Sequence, residues 1–155
     1  MIRSLKHAFN ETRSKLTVFV IALPLYLIWT GLPPSLWLDV ERIRVEDSRE
    51  GEPILIHVDR TIHRPFTASW AVEVELLTPG GWKILHTSPG SNNYTPDMEQ
   101  QLSANLTWWA GERLSLSPGT YRLVTCWRIH LDWLRDRRFC STSNVFRVVP
   151  WWSPS

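Results

Sequence analysis

The chain has 155 residues, 43% hydrophobic and 21% charged, which allows one domain of ordinary size plus an appendage and excludes a disordered chain. Its formal net charge of +2 is unevenly placed: four Lys/Arg and one Glu precede Leu16, whereas thirteen Lys/Arg and fourteen Asp/Glu follow Leu32. The main body is therefore close to neutral, and a nucleic-acid partner is not indicated.

Residues 1–15 form a basic tail, expected on the cytoplasmic side by the positive-inside rule. Leu16–Leu32 holds no charged residue over seventeen positions, about 25 Å as a helix, at the short end for a hydrocarbon core. Pro24 is tolerated in such a helix, and Pro33 and Pro34 end it. The apolar run exceeds that of a signal peptide, and no small-x-small cleavage site follows. Residues 16–32 are thus expected to be a transmembrane signal-anchor in the lipid bilayer, with 33–37 as a juxtamembrane linker. The C-terminal domain is then periplasmic or extracellular. The two cysteines, Cys126 and Cys140, both fall in that exported part, where an oxidising compartment would pair them.

From residue 38 onward the dominant signal is period-two alternation broken by Gly, Pro, Asn and Asp clusters. Strands are expected at Val40–Glu46, Ile54–Asp59, Thr67–Leu77 and Trp82–His86. Within Thr67–Leu77, Trp70, Val72, Val74 and Leu76 point one way, and Glu73 and Glu75 point to water. Thr87–Asp97 is expected to be a long polar loop. Gln100–Ala110 alternates as a strand, so neighbours Trp108 and Trp109 face opposite sides. Leu114–Leu116, Tyr121–Leu131 and Phe139–Val149 complete seven or eight strands. If the last two pair as a hairpin around Trp133, Cys126 lies opposite Cys140. The expected fold is all-β: an antiparallel sandwich over 38–149 preceded by one transmembrane helix, with a Trp-containing tail at 150–155.

Ile56 sits centrally in the second strand, Trp70 lies fourteen residues later on the next, and Tyr121 in "PGTYRL" stands two residues before Leu123. This resembles the immunoglobulin-like pattern of an inner residue on strand B, a buried Trp on strand C and a tyrosine corner on strand F. Fibronectin-type and other bacterial sandwiches share these short motifs. A single-pass chain with such an ectodomain also resembles small membrane proteins of bacteria and their phages. The resemblance implies an immunoglobulin-like sandwich and carries no activity with it.

Catalytic signals are poor: there is no Gly-x-Ser-x-Gly elbow, no phosphate-cradling Gly loop and no His-Glu-x-x-His. His130 follows Cys126 by four residues, about 13 Å along a strand, too far for a nucleophile–base pair. His57 and Asp59 share a strand face, but two groups do not make a metal site. The expected protein is not an enzyme and needs no cofactor and no metal. Ten tryptophans are the most unusual feature. Trp109, Trp133 and the neighbouring Arg135, Arg137 and Arg138 are the candidates for partner binding, on exposed aromatic surface and clustered cations. The expected function is binding of a protein partner at the membrane or in the cell envelope. The alternative is a carbohydrate- or cell-wall-binding module that uses exposed Trp side chains.

Overall fold

The computed structural model of the chain describes residues 20–27, 31–111, 114–132 and 135–152. The chain divides into two units, 1–33 and 34–155. In the first, residues 20–27 are helical. The expected transmembrane helix is corrected here: among the described residues no helix is long and apolar enough to cross a membrane. Residues 16–19 and 28–30 of the expected span, and the whole basic tail, lie outside the described residues.

Among its described residues the second unit is mostly β, with nine strands in two sheets, an arrangement compatible with a β-sandwich. The smaller sheet orders β1 (Leu38–Val45), β3 (Leu55–Ile62) and β6 (Gln101–Asn105) as β1-β3-β6. The larger sheet runs β2 (Ser48–Arg49), β9 (Phe146–Val149), β7 (Gly119–His130), β4 (Phe66–Thr78) and β5 (Gly81–Tyr94), with β8 (Arg137–Thr142) also pairing β7. All pairings are antiparallel except β2 with β9.

Alternation decides which side chains enter the core. Ile43, Val45, Ile56 and Val58 are buried on the smaller sheet, and Val72, Val74, Leu123 and Ile129 on the larger one. Fully burying one such side chain stabilises the fold by about 1.5–3 kcal/mol. The Tyr121 hydroxyl donates to the Ser117 carbonyl at 2.7 Å, so the tyrosine anchors the loop that enters β7.

Four expectations change. The segment 87–94 is not a loop but the second half of β5. Pro89 is accommodated because β5 is an edge strand with one free side. Gly90 is required by its neighbour: a Cβ there would meet the Trp70 ring at 2.3 Å. The strand expected over 100–110 stops at Asn105 and becomes a helical turn, Leu106–Ala110. Leu114–Leu116 forms no strand, although Leu116 is buried.

Finally, Phe139–Val149 is two strands rather than one. Ser143 and Asn144 interrupt it, and their side chains hydrogen-bond to backbone in place of a ladder. The Ser143 hydroxyl accepts from the Leu123 N–H at 2.9 Å. The Asn144 amide accepts from the Val45 N–H and donates to the Val45 carbonyl, at 2.7 and 2.9 Å, which ties this break to β1.

Candidate binding surfaces

Two adjacent rows cross the larger sheet. The inner row is Gly90, Trp70, Trp127 and Phe139, each opposite the next in register. The Trp127 and Phe139 rings stack at 5.1 Å, and Trp127 is 1% exposed. The outer row, one residue along, is Pro89, Ala71, Cys126 and Cys140. Cys126 and Cys140 stand opposite each other as the hairpin geometry requires, with their sulfurs at disulfide distance, 2.06 Å.

Because the outer row is built from small residues, it leaves a shallow hollow of about 710 Å³ on the outer face. Its rim is cationic. Arg128 and Arg138 stand directly opposite each other on β7 and β8, both exposed, and Arg135 lines the same hollow. Like charges directly opposite across a ladder are destabilising. Among the described residues one carboxylate lines the hollow: Asp136 accepts from Arg128 Nε at 2.8 Å and lies 3.2 Å from His130 Nδ1. Partial desolvation pushes the Asp136 carboxyl up, but the Arg128 hydrogen bond and the charges of His130 and Arg128 outweigh it. The carboxyl is therefore held below the usual range.

The sequence-derived candidates separate. Arg135 and Arg138 reach this face, whereas Arg137 is an inner-face residue, 8% exposed, opposite Ile129. Trp133 lies outside the described residues. Trp109 is buried, and its neighbour Trp108 is the exposed one, at 65%. The expectation that the pair divides between inside and outside holds, but on a helical turn and not on a strand. Trp70, expected in the core, is only half-buried. Trp151 and Trp152 are both exposed and meet edge to face at 5.8 Å.

The aromatic side chains near Trp109 line a second cavity of about 480 Å³, between the edge strands β5 and β6. Arg60 and Tyr94 stand at it, the guanidinium 5.6 Å from the ring centre. Burial pulls the Arg60 guanidinium down, against the influence of Tyr94 and Glu99, and burial pushes the Tyr94 hydroxyl up.

The histidines carry structural contacts. His57 lies between Ser103 Oγ at 2.8 Å and Glu46 Oε1 at 3.0 Å, and His63 lies 3.1 Å from Asp39. Among the described residues no three His, Cys, Asp or Glu side chains are grouped to hold a metal ion. Sequence reasoning missed Arg128 and Trp108 as surface groups. The period-two count from Cys126 places Arg128 on the outer face, so that signal was present. Nothing in the sequence marked the turn at Leu106 that exposes Trp108. No protein-family model matches this chain, and comparison with curated proteins finds no match.

Proposed function

We propose that this chain is a non-enzymatic binding protein that docks a carboxylate-bearing segment of a partner protein on the outer face of the larger sheet. The single observation that carries this reading is the facing pair Arg128–Arg138, with Arg135 on the same hollow and one carboxylate to balance three cations. A bound carboxylate relieves that repulsion, and guanidinium groups hold carboxylates in bidentate geometry.

The proposal includes an immunoglobulin-like domain working in an oxidising compartment outside the cytoplasm. In favour of the fold are the strand orders β1-β3-β6 and β9-β7-β4-β5, the buried pair Ile56 and Leu123, and the Tyr121–Ser117 hydrogen bond. The half-buried Trp70 departs from the pattern, since the most enclosed tryptophan is Trp127 on the neighbouring strand. In favour of the compartment is the pairing of Cys126 with Cys140.

The test is calorimetric titration of the full chain with a short peptide of alternating Glu and Ser. Binding that weakens with added salt, is lost in Arg138→Glu and tightens in Asp136→Asn is the expected result. Equal heats for the native chain and Arg138→Glu, with both folded by circular dichroism, would remove the proposal.

A further inference from the structure

We infer that the aromatic cavity between β5 and β6 is a saccharide-binding site, separate from the cationic hollow. Four tryptophans line it, and they are held at different depths. Trp127 is the most buried of them, at 1% exposed. Trp109 is fixed in orientation: its indole N–H donates to the Thr125 hydroxyl at 3.3 Å, its ring lies edge-on to Trp127, and it is within 14° of parallel to Trp70. Trp70 lies against the Gly90 backbone, where no other residue type leaves room for the ring. Trp108, one residue before Trp109 on the helical turn, stands open to water.

The rim is polar. Arg60 reaches it from β3, and Nε and Nη2 both donate to the Glu99 carbonyl, at 3.3 and 3.2 Å. Ser91 and Asn92 reach it from β5, and both are exposed. The cavity therefore joins flat aromatic surface to a ring of hydrogen-bonding groups.

That combination selects the ligand class. A pyranose presents C–H groups on one face and hydroxyls around its edge, so it meets both parts at once. A purely apolar ligand would strip water from Arg60 and Asn92 without replacing their hydrogen bonds, which is unfavourable. A quaternary ammonium would gain from the ring faces and from Glu99, which lines the cavity beside Arg60, but it brings no hydrogen-bonding groups to Ser91 and Asn92. The volume of about 480 Å³ lies within the range of small-ligand sites.

The experiment follows the indole N–H resonances and tryptophan fluorescence of the full chain during titration with neutral oligosaccharides of glucose, galactose, mannose and N-acetylglucosamine. Tetramethylammonium and an apolar naphthalene dye serve as the competing ligand classes. The expected result is saturable perturbation of the Trp109 indole by at least one saccharide. Trp108→Ala should weaken that binding about tenfold, and Trp108→Phe less. Because Trp108 is exposed, neither change threatens the fold. Arg138→Glu should leave saccharide binding unchanged, so failure here and failure of the outer-face proposal are told apart. Silence toward every saccharide, or binding only of the ammonium or the dye, would overturn the inference. So would saccharide binding indifferent to Trp108→Ala.

Discussion

The inner row Gly90–Trp70–Trp127–Phe139 and the outer row Pro89–Ala71–Cys126–Cys140 are neighbours along the same strands, one residue apart, yet they are held by different physics. The inner row carries the Trp70, Trp127 and Phe139 rings, of which Trp127 is enclosed, and their stabilisation comes from removing apolar surface from water. The outer row has little surface to bury, so it is stapled covalently and left low enough to form a hollow. A single sheet thus has one face that carries the large rings and another on which Arg128 and Arg138 are exposed. The faces can be altered separately because a strand sends alternate residues to opposite sides.

Changes ranked by size sharpen that division. Trp127→Ala removes the most enclosed ring of the inner row and should cost about 3–5 kcal/mol in denaturant unfolding. A loss below about 1 kcal/mol would mean that the inner row is not the structural one. Replacing both cysteines by Ala should cost less, at most about 3 kcal/mol, since a bridge spanning 14 positions closes a short loop. The inner row should survive that change, with near-ultraviolet dichroism of the tryptophans retained.

Tyr121→Phe keeps the buried ring and deletes only the hydroxyl that bonds Ser117. It should cost about 1 kcal/mol, read as a lower thermal midpoint. The smallest effect belongs to the outer face. The Asp136 carboxyl is held below its ordinary value in the folded chain, so its link to Arg128 is present above the unfolded carboxylate pKa. That link is lost as pH falls through the folded value. The midpoints of the native chain and Asp136→Asn should differ slightly near neutrality and converge in acid.

The sequence made one face of this comparison easier to read than the other. Strict alternation from Val72 to Val74 and from Tyr121 to Ile129 marked the inner residues, Tyr121 and Leu123 among them. The opposition of Cys126 and Cys140 followed from hairpin counting. What failed was local chemistry read without its tertiary setting. Pro89 and Gly90 look like loop residues until the free edge of β5 and the Trp70 ring explain them. Ser143 and Asn144 look like ordinary strand residues until their side chains are seen capturing backbone from β7 and β1.

The aromatic cavity was legible only as an excess of tryptophan. Its residues come from β3, β4, β5, the segment before β6, β6, β7 and a helical turn that alternation misassigned as strand, so spacing along the chain could not assemble them. The uncharged run at Leu16–Leu32 is corrected on other grounds: among the described residues no helix is long and apolar enough to cross a membrane.

The most direct measurement of the central claim is an amide chemical-shift map of the full chain titrated with the Glu/Ser peptide. The perturbed amides should cluster on the outer face around Ser69, Ala71, Cys126, Arg128 and Arg138. Amides of β1 and β3 should stay still. Shifts centred on the smaller sheet, or no saturable shifts at all, would contradict the assignment of the outer face as the binding surface.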